Sequence, residues 1–98
     1  MQFPVPKIAA ALLKKGFQTE MGDHTYFSFY FNGIKTAVRT KMSHGAKSIS
    51  GSLIGLMKRQ MKLETSEQFK KFVNCPLKKE QYEKILAKQG IININLQE

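Results

Sequence analysis

The chain has 98 residues and a formal net charge of +9, with 16 Lys or Arg against 7 Asp or Glu. This length suits one small domain, and the ordinary apolar content excludes wholesale disorder. The charge is concentrated in residues 23–63, which carry seven Lys or Arg against a single carboxylate, that of Asp23. Because a large charge of one sign repels itself, this bias predicts a polyanionic partner, with RNA or DNA first and an anionic membrane surface second.

Hydropathy and cysteine content narrow the class of protein further. No window approaches the roughly 20 apolar residues that cross a bilayer, so we expect no membrane association through a spanning helix. The first residues lack the order of a signal peptide. Cys75 is the single cysteine, which excludes an internal disulfide and favours a small buried hydrophobe. The expectation is a cytoplasmic protein that needs no metal and no cofactor.

The N-terminal part of the chain predicts a helix followed by a short strand. Pro4 and Pro6 mark an extended lead-in. Over residues 7–15 apolar side chains recur at helical spacing, and Gly16 ends the run. The inward residues are Ile8, Ala9, Leu12 and Leu13. A strand is predicted over residues 17–20, before a turn at Gly22 and Asp23.

The next segment predicts a β-hairpin. Residues 24–31 are rich in aromatics, Asn32-Gly33 is typical of a two-residue type I′ turn, and residues 34–42 form the returning strand. The predicted pairs are Phe31–Ile34, Tyr30–Lys35, Ser28–Ala37, Tyr26–Arg39 and His24–Lys41. The predicted core face carries Phe27, Phe29, Phe31, Ile34, Thr36 and Val38. The opposite face then carries a histidine, two tyrosines and three cations.

Three helices are predicted after a polar loop over residues 43–50. The first covers about 51–62, with Leu53, Ile54, Met57 and Met61 inward. Thr65 and Gln68 form a capping-box pattern that opens a helix to about residue 73. The last covers about 77–89, buries Tyr82, Ile85 and Leu86, and ends at Gly90. With an edge strand over 91–96, the pattern predicts an α+β domain whose sheet is covered on one face by helices.

The polar face of the hairpin is a candidate nucleic-acid site. The rings of Tyr26 and Tyr30 can stack on unpaired bases, while Lys35, Arg39 and Lys41 can hold phosphates. The alternative is structural. Tyr26 and Arg39 would form a cross-strand cation–π pair, and the two lysines would be solvated edge charges.

His24 is the candidate acid–base residue, because an unperturbed imidazole has a pKa of about 6.5. RNA cleavage through its own 2′-hydroxyl needs a base, an acid and charge stabilisation, and Lys41 could supply the last. The alternative is a surface histidine without a chemical role. His44 is either a solvated turn residue or, together with Lys47, a phosphate contact at the start of the next helix.

Several segments resemble the HicA family of toxin–antitoxin systems. They are LLKKGF (12–17), GDHTYF (22–27), FNGIKTAVRTK (31–41), SHGAKSIS (43–50) and GSLIGLMKRQMKL (51–63). Each motif is short, and their order and spacing carry the resemblance. It implies a double-stranded-RNA-binding-domain-like α-β-β-β-α core over residues 1–63. It also implies ribosome-independent mRNA cleavage, with His24 at the position of the family's essential histidine, and neutralisation by a HicB-type antitoxin.

Two features depart from the family pattern. Asp23 stands where a small residue commonly precedes the histidine, and residues 64–98 add a helical extension to a usually shorter chain. We expect the extension to pack on the same domain, where it could cap a surface, support a homodimer or take an antitoxin's place. RNA binding is therefore the first expectation and mRNA cleavage the second. A non-catalytic nucleic-acid-binding or protein-interaction module is the alternative.

Overall fold

The computed structural model describes residues 2–43, 45–74 and 76–93 and has the expected α+β class. The elements in chain order are β1 (Gln2–Pro4), α1 (Val5–Lys14), β2 (Phe17–Met21), β3 (Thr25–Phe31), β4 (Ile34–Met42), β5 (Ser48–Ser50), α2 (Ser52–Gln60), α3 (Ser66–Asn74) and α4 (Lys79–Lys88). His44, Cys75 and residues 94–96 of the predicted edge strand lie outside the described residues, and residues 91–93 of that prediction form no strand. Within those residues, no helix is both long enough and apolar enough to cross a membrane.

An antiparallel sheet of three strands, in the order β2-β3-β4, forms the centre of the fold. The Asn32-Gly33 turn has φ values of 53° and 77°, as a type I′ turn requires. A second, two-stranded sheet joins β1 to β5, and Phe3 lies opposite Ile49. The predicted loop over residues 43–50 is therefore wrong at its end, because residues 48–50 pair with the N-terminal lead-in.

The predicted hairpin register is correct next to the turn, at Phe31–Ile34 and Tyr30–Lys35. It is wrong farther from the turn, from Ser28 back to the start of β3. An irregularity between Ser28 and Tyr30 shifts the pairing by two residues. As a result Ser28 lies opposite Arg39, and Tyr26 lies opposite Lys41. A shift of two residues preserves the alternation of faces, so the cations remain on the predicted face. Lys41 is not the direct cross-strand partner of His24.

A threonine hydroxyl stabilises this bulge. Thr36 Oγ1 donates to the Phe29 carbonyl at 2.7 Å and accepts from the Val38 N–H at 3.2 Å. These bonds satisfy backbone groups near the point where the regular ladder is interrupted. The strand then returns to the sheet, with the Val38 side chain fully buried.

Tyr82 of α4 lies at the centre of the hydrophobic core. Its ring packs against those of Phe17, Phe29 and Phe72, with centroids 5.8, 5.3 and 5.0 Å away. Its hydroxyl donates to the Met61 carbonyl at 2.7 Å, so the one polar atom of this buried ring is satisfied. Helices α3 and α4 therefore share one core with the sheet and α1.

Three predicted core residues are exposed instead. Ile34 is 70% exposed, and Leu13 and Leu53 are each 52% exposed. Ile34 directly follows the hairpin turn, at the tip of the sheet. Leu53 lies in the first turn of α2 and lines a surface cleft. The predicted periodicity is correct for residues next to these three, such as Leu12 and Ile54, which are buried. The three exposed residues all lie near the end of a helix or strand.

Candidate nucleic-acid interface

His24 and Lys41 line one surface cleft of about 250 Å³. They meet because the start of β3 and the end of β4 lie at the same end of an antiparallel hairpin. The polar lining also includes Ser43, Ser48 and Gln60. The apolar lining consists of Met42, Ala46, Ile49, Leu53, Leu56 and Met57. Among the described residues, no carboxylate lines this cleft, so it suits a ligand with an anionic group and an apolar or aromatic part.

Helix α2 forms the second wall of the cleft. Thr40 is buried next to Lys41, and its hydroxyl donates to Gln60 Oε1 at 2.7 Å. This bond ties the last turn of α2 to β4. The same helix buries Ile54 and Met57 against the core, so the wall is built on a packed element.

The His24 ring is partly buried and presents its two nitrogens differently. Its side chain is 34% exposed, yet Nδ1 is shielded and has no hydrogen-bond partner among the described residues. Nδ1 lies 3.8 Å from Asp23 Oδ1, which is longer than a hydrogen bond. The ring also packs edge-on against Tyr26, with centroids 6.1 Å apart. The exposed part of the ring therefore does not include Nδ1.

Asp23, which directly precedes His24, is held by a hydrogen bond from Tyr26. The Tyr26 hydroxyl donates to Asp23 Oδ1 at 2.9 Å. This hydrogen bond is the main reason that the pKa of Asp23 is lowered and the pKa of Tyr26 is raised. The carboxylate is therefore ionised at neutral pH and lies beside the imidazole of His24.

The open sheet face carries an acid that the prediction for this face did not include. Glu20 of β2 lies opposite Tyr26. Its carboxylate is 2.9 Å from Lys35 Nζ and 3.6 Å from the Arg39 guanidinium. The hydrogen bond from Lys35 is the first cause of a lowered Glu20 pKa. Two of the three predicted phosphate-binding cations are thus paired within the protein.

Tyr26 and Arg39 form the cation–π contact of the structural alternative. The guanidinium carbon lies 4.2 Å from the ring centroid, within the range of an attractive contact. A base could stack on that side of the ring only by displacing Arg39. Ser28, which lies opposite Arg39 on the same face, is fully buried. Side chains of the sheet itself therefore cover this part of the face and shield it from solvent.

The remaining predicted residues are dispersed. Tyr30 lies at the other end of β3 and lines a separate recess. Lys47 is exposed and stands between Ala46 and Ser48, which line the His24 cleft. His44 lies outside the described residues. The cleft unites His24 and Lys41, and Tyr30, Lys35 and Arg39 are not part of its lining.

Sequence reasoning missed the wall formed by Ser48, Gln60 and Leu56. Ser48 is placed by the pairing of β5 with β1, and Leu56 and Gln60 by the packing of α2 against β4. The sequence carries no local signal for either. Glu20 could have been placed, since alternation along β2 puts it on the face opposite Phe17. Within the described residues, no group of three His, Cys, Asp or Glu side chains could hold a metal ion.

Comparison with known proteins gives no match to a family model, to a curated protein or to a solved structure.

Proposed function

We propose that this protein binds RNA in the His24 cleft and is a HicA-like protein with a double-stranded-RNA-binding-domain-like core. The order α1-β2-β3-β4 followed by α2, with β5 between β4 and α2 paired to β1 outside the central sheet, supports the core assignment. The observation that carries the function is the presence of His24 and Lys41 in one cleft whose described lining contains no carboxylate. A phosphate there meets an ammonium group, and the apolar wall offers a surface for a base.

The same arrangement supports cleavage of the bound RNA without a metal. His24 Nε2 takes the proton of a ribose 2′-hydroxyl, and the oxygen attacks the adjacent phosphorus. The bond from phosphorus to the 5′ oxygen breaks, that oxygen takes a proton from water, and the protonated His24 returns its proton to the hydroxide so formed. The products are a 2′,3′-cyclic phosphate and a 5′-hydroxyl end. Lys41 stabilises the charge that develops on the phosphoryl oxygens.

Incubation of a labelled single-stranded RNA in EDTA tests this function. The wild-type chain should produce fragments with cyclic-phosphate ends. His24→Gln should cut at least about 100-fold more slowly, because general acid–base catalysis contributes on the order of a hundredfold or more. The variant should keep its circular dichroism spectrum and its affinity for RNA. Cleavage by His24→Gln at the wild-type rate would remove His24 from the mechanism.

A non-catalytic interaction module is the second candidate, and the apolar wall of the cleft favours it. Leu53 and Leu56 are 52% and 40% exposed and face the same cleft. A protein segment could bury them, and a HicB-type antitoxin is the partner that the family resemblance implies. The absence of both cleavage and salt-sensitive RNA binding would favour this candidate, because phosphate contacts release counterions and protein contacts of this kind do not.

A further inference from the structure

A second basic site lies where the end of α1 meets the start of α4. A recess of about 260 Å³ there is lined, among the described residues, by Lys14, Lys15, Lys78 and Lys79. We call these residues the α1–α4 lysine cluster. Lys15 is only 3% exposed. Its Nζ donates to the Phe72 carbonyl and lies 4.8 Å from the centroid of that ring.

Ion pairs within the described part of the protein do not account for Lys14, Lys78 and Lys79. The three ion pairs of the described residues all lie elsewhere, at Asp23 and Glu20, and none includes Lys14, Lys78 or Lys79. Cations at the start of a helix also oppose its macrodipole, so the charges of Lys78 and Lys79 do not stabilise α4.

The acids of α4 are oriented mainly toward another surface. Glu80 and Glu83 line a recess together with Lys84 and Lys88. Glu83 also borders a recess that includes Lys79, yet the two form no ion pair. A concentration of like charge in one recess is unfavourable by itself, and a bound polyanion would relieve it.

We propose that the α1–α4 lysine cluster is a second contact for RNA phosphates, a proposal that rests on the proposed function. The Tyr30 N–H donates to the Gly16 carbonyl at 3.0 Å, which places the end of β3 beside the cluster. Tyr30, Gly16 and Lys79 line an adjoining recess. His24 lies at the other end of β3, roughly 20 Å away at the rise of an extended chain.

One RNA strand of several nucleotides can therefore reach from the His24 cleft to the cluster. Two of the four lysines belong to the C-terminal extension, so the extension enlarges the binding surface in this proposal. The affinity of a short RNA that occupies only the cleft should not depend on Lys78 or Lys79, whereas the affinity of a longer RNA should. This length dependence separates the second contact from the first.

The test compares 2′-O-methyl RNAs of about 4 and about 12 nucleotides, a range covered by one small single-strand-binding domain. Such RNA lacks the attacking hydroxyl and stays intact. Affinity is measured by fluorescence anisotropy across a series of salt concentrations, for the wild type and for Lys78→Ala/Lys79→Ala. The matched control, Lys84→Ala/Lys88→Ala, removes the same charge from exposed positions of the same helix.

For the long RNA, the slope of log affinity against log salt should fall by about 1.4 in Lys78→Ala/Lys79→Ala, at about 0.7 per lost phosphate contact. It should change less in the control, and the short RNA should bind both variants as it binds the wild type. An unchanged slope for the long RNA, with Lys41→Ala still weakening both RNAs, would overturn the second contact and leave the proposed function intact. Absence of RNA binding by the wild type would overturn both.

Vesicles of phosphatidylcholine and phosphatidylserine provide the remaining comparison. If Lys78→Ala/Lys79→Ala abolishes vesicle binding while long-RNA binding is unchanged, the cluster is a membrane contact and the RNA proposal is wrong. If RNA binding alone depends on the two lysines, the proposal is supported.

Discussion

At the scale of single residues, Glu20 determines how the sheet face is used. It lies within 4.0 Å of both Lys35 and Arg39, and Arg39 in turn covers the Tyr26 ring. These side chains hold one another across three strands. Lys41, which is exposed and outside these ion pairs, is the cation of the hairpin that lines the cleft. The face predicted to bind RNA thus divides into a part whose side chains pair with one another and a part that lines the cleft.

Glu20→Gln should remove a pH-dependent contribution to stability. The pKa of Glu20 is lowered in the folded state, first by the hydrogen bond from Lys35. A lowered carboxyl pKa stabilises the fold above the unfolded value, about 4.3 for Glu, and the gain is lost as the pH falls through the folded value. Urea unfolding should therefore give the wild type a larger free energy of unfolding than the variant at neutral pH. In acid the two free energies should be equal. The same difference at every pH would contradict this account.

At the scale of elements, α2 and α4 end in the same hydrogen-bonding motif. In α2 the Leu63 N–H donates to the Lys58 carbonyl at 3.0 Å, and the Lys62 N–H donates to that of Arg59 at 3.1 Å. Both bonds define a Schellman motif, whose first residue after the cap takes a left-handed conformation. In α2 that residue is a lysine, Lys62, with φ of 65°.

Helix α4 repeats this ending with the residue that the motif prefers. The Ile91 N–H donates to the Leu86 carbonyl and the Gly90 N–H to that of Ala87, both at 3.0 Å. Gly90 has φ of 78°. The end of α4 was predictable because glycine signals it. The end of α2 was not, since a lysine at that position carries no such signal.

Lys62→Gly should stabilise the protein by about 0.5–1 kcal/mol, because glycine adopts the left-handed conformation without the steric cost of a Cβ atom. Gly90→Ala should destabilise it by a similar amount for the opposite reason. The midpoints of urea unfolding measure both changes. A loss of stability in Lys62→Gly would show that its side chain contributes more than its backbone conformation costs.

Local sequence signals were enough to locate most helices and strands. They could not show which strands pair or in which register. The Asn-Gly turn and the Thr65 cap are local, and the Thr65 hydroxyl indeed accepts the Gln68 N–H at 3.0 Å. The bulge at Thr36 depends on one side-chain bond to the neighbouring strand, and three-residue strands such as β1 and β5 are too short for a periodic pattern. The prediction that His24 and Lys41 lie near each other came from hairpin geometry. A shift of two residues in the strand register leaves both residues at the same end of the hairpin.

At the scale of the whole molecule, the cations behind the net charge of +9 lie in different surroundings. Part of it is paired with Glu20, part lines the His24 cleft, and part converges in the α1–α4 lysine cluster. Helices α3 and α4 complete the core through Tyr82, and half of the cluster, Lys78 and Lys79, lies at the start of α4. The predicted C-terminal extension therefore adds both packing and charge to the fold.

The most direct test of the central claim, that RNA phosphate occupies the His24 cleft, is the salt dependence of binding of a short 2′-O-methyl RNA. Lys41→Ala is compared with Lys70→Ala, which removes an equal charge from an exposed position on α3. The account predicts weaker binding and a slope lower by about 0.7 for Lys41→Ala, the value for one lost phosphate contact in a single strand. Lys70→Ala should match the wild type. Equal slopes for Lys41→Ala and the wild type would contradict the account, because Lys41 would then hold no phosphate.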